Sequence, residues 1–234
     1  MAQVEDAHWW FAGRRAVLRA VIARLVRPPE GARILEAGCG SGGNLALLSE
    51  FGRVEGMELD AAARARATAR GIGEIRAGAL PHGIDAPDAS YDLVALFDVL
   101  EHVEEDVASL SALARKLKPG GRIVLSVPAH PWLWSMHDET HRHMRRYTRG
   151  SLRGAIEDAG LRVEALGWFN TLLFPLAVAH RLASRLVGAG GPGDGMPAAA
   201  LNAALLAVFR AERHAVGRVP SPTGLSLYAV AASG

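Results

Sequence analysis

A single cysteine, Cys39, stands in the 234 residues, so no internal disulfide is available. A reducing, cytoplasmic setting is the expectation that follows. The chain also lacks an uncharged apolar run of the roughly 18–20 residues that a bilayer-spanning helix needs. Its opening, MAQVEDAHWW, has neither the basic stretch nor the apolar core of an export signal. An excess of either charge is missing too: 26 Lys and Arg stand against 24 Asp and Glu, a formal net charge of +2, which does not imply a basic groove, and no nucleic-acid partner is expected. What the chain has is apolar mass. Half its residues are hydrophobic, ample for one large domain or a domain with an insertion.

The periodicity of those residues sets the class. Trp10, Val17, Leu18, Val21, Ile22 and Leu25 recur at helical spacing, predicting an amphipathic helix over 8–26 that Pro28-Pro29-Glu30-Gly31 ends. Short apolar strands are predicted at 33–36, 54–58, 74–77, 91–97 and 122–127, with helices at 61–70 and 107–118 between them. The run Tyr91-Asp92-Leu93-Val94-Ala95-Leu96-Phe97 is nearly continuous, as in a strand covered on both faces. Strands alternating with helices predict a doubly wound parallel sheet. Beyond a loop at 129–148, a helix at 151–159 and a strand at 162–168 are expected. Helical stretches near 170–187 and 197–216 then flank a flexible glycine-rich linker at 188–195, ahead of a last strand from Leu225.

The stretch Glu36-Ala37-Gly38-Cys39-Gly40-Ser41-Gly42 follows the first strand. In a doubly wound sheet the ligand crevice lies at the carboxyl ends of the strands. Bare backbone there lets a ligand lie on the main chain. Glu58 ends the second strand 22 residues after Glu36, placed to chelate two ribose hydroxyls. That suits a dinucleotide and an adenosyl ligand alike. Glu36 separates them, because an acid before the turn repels a pyrophosphate and suits a cationic amino-acid end.

With these residues the chain resembles the class I S-adenosylmethionine-dependent methyltransferases, and among them the type 11 group. The resemblance runs from about residue 33 to 128 and rests on five ordered motifs. They are the glycine stretch, Glu58-Leu59, Gly78-Ala79-Leu80-Pro81, the run Tyr91-Asp92-Leu93-Val94 with Phe97-Asp98-Val99-Leu100-Glu101-His102-Val103, and Leu117-Lys118-Pro119-Gly120-Gly121. The resemblance implies a Rossmann-like doubly wound sheet of seven strands with the last antiparallel, plus a helical insertion before it. It implies S-adenosyl-L-methionine as cofactor, held by Glu36, Gly38, Gly40, Gly42, Glu58, Leu59, Ala79, Leu80, Phe97 and His102. Ala79 stands where many members carry an aspartate toward the adenine amine. One domain is expected over 1–234, with a helical cap at 1–30, a cofactor core at 31–128, an acceptor segment at 129–168, the insertion at 169–220 and the final strand at 221–234.

The acceptor side is read from AHPWLWSMHDETHRHMRRYT at 129–148. Histidine and tyrosine are suited to moving a proton near neutral pH, which makes His143, Tyr147 and His137 catalytic candidates. Arg145 and Arg146 can grip an acceptor anion, with Trp10, Trp134 and Asp138 beside them. A capping loop whose charges are solvated or bond to the helix at 151–159 is the competing reading. His137 and His141, four apart, invite a zinc reading, but Asp138 follows His137 where a metalloprotease pattern needs Glu and no cysteine is near; no metal is expected. The uncharged run Phe169–Ala179, followed by His180, Arg181 and Arg185, fits an ordinary helical cover or dimer face; the alternative is an apolar acceptor pocket or peripheral membrane contact, for a small-molecule or lipid-like acceptor with an anionic group. The rival functions are a non-catalytic adenosyl-binding protein and an NAD-binding oxidoreductase, which Glu36 disfavours.

Overall fold

The computed structural model describes residues 5–187 and 195–233; the glycine-rich linker expected at 188–195 lies almost wholly outside them. Its centre is one seven-stranded sheet of order β3-β2-β1-β4-β5-β7-β6. The strands are β1 (Ala32–Ala37), β2 (Gly52–Glu58), β3 (Glu74–Ala77), β4 (Tyr91–Phe97), β5 (Leu117–Pro128), β6 (Leu161–Phe169) and β7 (Ser226–Ser233). β1 pairs in parallel with both β2 and β4, so the strand order reverses beside it. β7 alone runs antiparallel, inserted between β5 and β6. The expected seven strands and the reversed last one are both present.

Alternation along the central strands divides the core in two. Ile34, Leu93, Ala95 and Phe97 face one layer, which holds α1 (Trp9–Val21), α2 (Leu45–Leu48), α3 (Ala61–Ala69) and Phe209 of α8 (Ala199–Ala211). Leu35, Val94 and Leu96 face the other, beneath α4 (Asp106–Ala114) and α6 (Arg149–Asp158). Covered on both faces, β4 can be apolar at every position but Asp92 without exposing a side.

Three local expectations shift. The first helix stops being α-helical at Val21; Ile22–Val26 form a wider turn closed by the Arg27 N–H on the Ile22 carbonyl at 2.9 Å. Arg27, just before Pro28, takes a left-handed φ of 51°, which blocks helical continuation. The helix expected to reach 118 ends at Ala114, and Pro119-Gly120-Gly121 lies inside β5 rather than ahead of it. There the register against β4 slips between Tyr91 and Leu93. Proline has no ladder N–H and Gly120 holds φ +80°, so the segment bulges and resumes pairing at Arg122. The loop at 129–148 contains a short helix, α5 (Met136–Thr140).

The insertion is helical as expected, with α7 (Phe174–Val187) and α8, and α8 packs on the N-terminal α1. Trp9 meets Phe209 edge to face at 6.1 Å, and the Trp9 N–H donates to Asn202 Oδ1 at 2.9 Å. A Cβ at Gly13 would lie 2.4 Å from the Phe209 ring, so this crossing requires glycine. The first helix and one from late in the sequence thus share one layer, where Phe209 also stacks on Phe169 at the end of β6.

Candidate active site

The chain turns sharply after β1. Gly38 and Cys39 both donate to the Met57 carbonyl of β2, at 2.8 and 3.0 Å. Gly38, Gly40 and Gly42 hold φ of +74°, +55° and +82°, values at which a side chain is strained. A Cβ at Gly38 would collide with Val99, whereas one at Gly40 would meet nothing within 4 Å. Gly40 therefore faces open space along bare backbone, the cradle an adenosyl ligand needs.

Glu58 closes the side of that cradle. Its Oε2 accepts from the Gly40 N–H and its Oε1 from the Asp60 N–H, both at 2.8 Å. Each carboxylate oxygen has two lone pairs, so both retain capacity for a ribose hydroxyl. The adjoining Leu59 side chain is 73% exposed, an apolar surface beside the crevice. Ala79 bridges to Gly83 through paired backbone bonds, with Leu80 half-buried next to it. Phe97 is buried at the end of β4, and His102 is exposed on the single turn Leu100–His102 that follows.

Glu36 is buried, at 1% exposure. Asn44 Nδ2 donates to its Oε1 at 2.8 Å; among the described residues Oε2 has no hydrogen-bond partner. Burial pushes its carboxyl up to about 8, against the Asn44 hydrogen bond and the charge of Arg14. An orphaned buried acceptor at the glycine turn fits the cationic amino-acid end of the ligand. In the ligand-free protein this has a pH consequence. The folded state keeps a proton that the unfolded chain gives up near 4.5, so Glu36 makes stability fall as pH rises from about 4.5 to 8. At about 1.4 kcal/mol per pH unit the loss is on the order of 3–5 kcal/mol. Glu36→Gln keeps an acceptor for Asn44 and is expected to remove that slope. Thermal melts across this range check it, and parallel curves for both proteins contradict the burial argument.

A network missed in the sequence ties the cap to this site. The buried Arg14 of α1 pairs with Asp98, which also accepts from Ser126 Oγ at 3.1 Å, and reaches Asn44 Oδ1 at 3.4 Å. Asp98 itself holds a left-handed φ of 56°. The Arg14 guanidinium lies 4.8 Å from the centre of the Trp10 ring, so Trp10 is a half-buried packing partner of this network.

The acceptor segment separates into two clusters. Asp138 is fully buried and accepts from Arg146 Nε at 2.6 Å, Arg146 Nη2 at 3.0 Å and Ser135 N at 2.9 Å, with His143 Nδ1 also 2.9 Å away. Burial alone would raise its carboxyl, but the His143 and Arg146 bonds hold it well below the usual range. A carboxylate only accepts, so His143 Nδ1 is the donor of this pair. In the second cluster the Tyr147 hydroxyl donates to Asp106 Oδ2 at 2.8 Å, and Arg145 pairs with the same carboxylate at 2.7 Å. Burial first and the Asp106 bond second drive the Tyr147 phenol far above its ordinary range. So Arg145, Arg146 and Tyr147, expected to face an acceptor, all have protein partners here. Trp134 is half-buried after the turn Pro131–Leu133.

His143 meets His102 edge to face at 4.7 Å; His137 lies 6.0 Å from His143 and 4.4 Å from His141, ring centre to ring centre. Desolvation, then the neighbouring His143, lowers the His102 pKa, leaving a neutral imidazole at pH 7. Glu101, beside it, is 1% exposed, and neither carboxylate oxygen has a hydrogen-bond partner among the described residues. Burial first and the Asp98 charge second raise its carboxyl well above the ordinary range. Its only sequence signal is an acid directly before His102 at the end of an apolar strand.

A family model described as a methyltransferase domain matches residues 10–166. The chain belongs to the S-adenosylmethionine-dependent methyltransferase family. It is 33% identical over 170 residues to a probable S-adenosylmethionine-dependent methyltransferase of Mycolicibacterium smegmatis, covering 70% of this chain and 64% of that one. With a ubiquinone biosynthesis O-methyltransferase of Xylella fastidiosa the identity is 36% over 109 residues, 42% of this chain and 43% of the other. The chain thus spans less than two thirds of the length of these relatives. Among solved structures it resembles a chain of the complex between the Haloferax volcanii Trm112 methyltransferase activator and a methyltransferase. The TM-score there is 0.65 at 21% identity, covering 99% of this chain and 92% of that one, a likeness of fold. The family's cofactor is S-adenosyl-L-methionine, and the bare glycine turn, the Glu58 carboxylate and the orphaned Glu36 oxygen fit it.

Proposed function

We propose that this chain transfers the methyl group of S-adenosyl-L-methionine to a hydroxyl oxygen of a small amphipathic molecule that also carries an anionic group. The cofactor supplies a methyl already activated on a sulfonium. The chain's part is to hold it with Glu58, Leu59 and Glu36, align the acceptor and take care of the acceptor's proton. Alignment alone is worth on the order of 7–11 kcal/mol of barrier.

The observation that carries the acceptor reading is the polar group Glu101, His102 and His143, set at the end of β4 where Val99 touches Gly38. It joins the acceptor segment to the cofactor turn. Next to it, α7 is fastened to the loop: the rings of His130 and Trp132 lie 5.2 and 6.4 Å from Phe174, and Arg181 donates to the Leu133 carbonyl. Trp132, Leu172 and Leu176 stay more than half exposed there, an apolar surface for the greasy part of the acceptor. Among the described residues no helix is long and apolar enough to cross a membrane, so a lipid-like acceptor would be met at this surface. The similarity to ubiquinone biosynthesis O-methyltransferases supports oxygen as the acceptor atom.

Transfer of labelled methyl to hydroxyaromatic amphiphiles, compared with amines of the same apolar tail, tests this. Turnover is expected on the hydroxyl series and should fall about 10²–10⁴-fold in His143→Ala. Methylation confined to the amines contradicts the oxygen reading.

A further inference from the structure

The Glu101, His102 and His143 side chains each offer one ligand atom, and the three atoms lie within 4.8 Å of one another. We propose that these three residues bind a divalent first-row transition cation at the acceptor end of the cofactor crevice. Two imidazoles and one carboxylate are a donor set suited to such ions, and three protein ligands leave coordination positions open.

Three features of the fold prepare the site independently of the spacing. Glu101 is 99% buried, yet neither of its oxygens has a hydrogen-bond partner among the described residues. A buried carboxyl without hydrogen-bond partners is costly, and a cation that displaces its proton would give both oxygens a partner. His143 gives its Nδ1–H to the buried Asp138, which Arg146 grips in turn, so Nε2 is the nitrogen that the neutral ring can offer to an ion. That carboxylate–imidazole arrangement is how metal-bound histidines are oriented and made more basic. His102 has the Arg142 carbonyl as a partner for one ring nitrogen, which leaves the other to accept. Oxygen and nitrogen ligands at about 2.0–2.2 Å in a tetrahedral shell sit roughly 3.5 Å apart. Rotation of the exposed His102 ring can draw the set together, while the buried Glu101 and the anchored His143 stay fixed.

The position gives the site its use. Glu101 and His102 lie two and three residues after Val99, which touches the glycine turn through Gly38. A cation held there would lower the pKa of a hydroxyl coordinated to it and point its oxygen toward the cofactor. That role rests on the oxygen-transfer reading; binding of the ion does not. The histidines that the sequence suggests for zinc, His137 and His141, form a neighbouring pair and are not the ligands proposed.

The test uses the chelator-treated protein without cofactor or acceptor, titrated with Zn²⁺ in a calorimeter and with Co²⁺ in the visible region. One equivalent should bind, with cobalt d–d bands of a low-symmetry site. His102→Ala, an exposed change, and Glu101→Gln, nearly isosteric, should each weaken binding at least about 100-fold, beyond the usual effect of an outer-shell change. The paired variant His137→Ala/His141→Ala should retain it. Absence of saturable binding overturns the proposal. So does binding that survives in His102→Ala and Glu101→Gln but disappears in the paired variant, which marks a surface histidine pair. Titration of the same samples with S-adenosylhomocysteine reports on the cofactor reading separately, so the two readings can fail independently.

Discussion

Glu58→Ala is expected to weaken S-adenosylhomocysteine binding by about 1–3 kcal/mol, roughly 5- to 150-fold. Two losses add. The ribose hydroxyls lose their acceptor, and the Gly40 and Asp60 N–H groups, each 2.8 Å from this carboxylate, lose the partner that shapes the turn. Glu58→Gln separates them, since its single amide oxygen can serve one N–H but cannot match a carboxylate toward two hydroxyls. It should bind with intermediate affinity and melt between the parent and Glu58→Ala. Calorimetric titration at fixed pH and salt gives the comparison. Unchanged affinity in Glu58→Ala would place the ribose elsewhere.

The largest stability effect is expected at Asp138. Alanine there leaves the Arg146 guanidinium buried without its counter-charge and frees His143, at a cost of about 3–5 kcal/mol. Ser135 also loses the side chain that accepts from its N–H at the start of α5. Because the Asp138 carboxyl is held below its unfolded value, its contribution is complete at neutral pH and vanishes only as pH falls into strong acid. Denaturant unfolding at pH 7 reads the difference. A loss under about 1 kcal/mol would mean that the acceptor segment folds without this pair.

The sheet was legible in the sequence because each strand carries its own signal. β4 is apolar at every position but Asp92, and Gly38, Gly40 and Gly42 mark a turn where the backbone holds left-handed φ and stays bare. Glu58 could be found because strand length fixes its place relative to the turn. What stayed hidden is mostly long-range. Arg14 and Asp98 are 84 residues apart, Trp9 and Asn202 are 193 apart, and no local pattern announces either contact. The acceptor segment is hard to read for a different reason. Asp138, Arg145, Arg146 and Tyr147 look like ligand-facing chemistry in a line of text, yet three-dimensional pairing uses them to hold the segment together. One signal was available. Ser135 and Asp138 have the spacing of a capping box, which marks the start of α5 inside the presumed loop. In the sequence Glu101 is only one letter of a motif, because burial without a partner is a property of the fold.

Everything proposed for the acceptor depends on what fills the cradle beside Gly40. The most direct measurement is a titration of the wild-type protein with S-adenosylhomocysteine and, separately, with NAD. Saturable one-to-one binding of the first and none of the second is the predicted result. Binding of NAD, or heat flat to both ligands, would show that the bare turn and its two acids serve something other than an adenosyl amino acid.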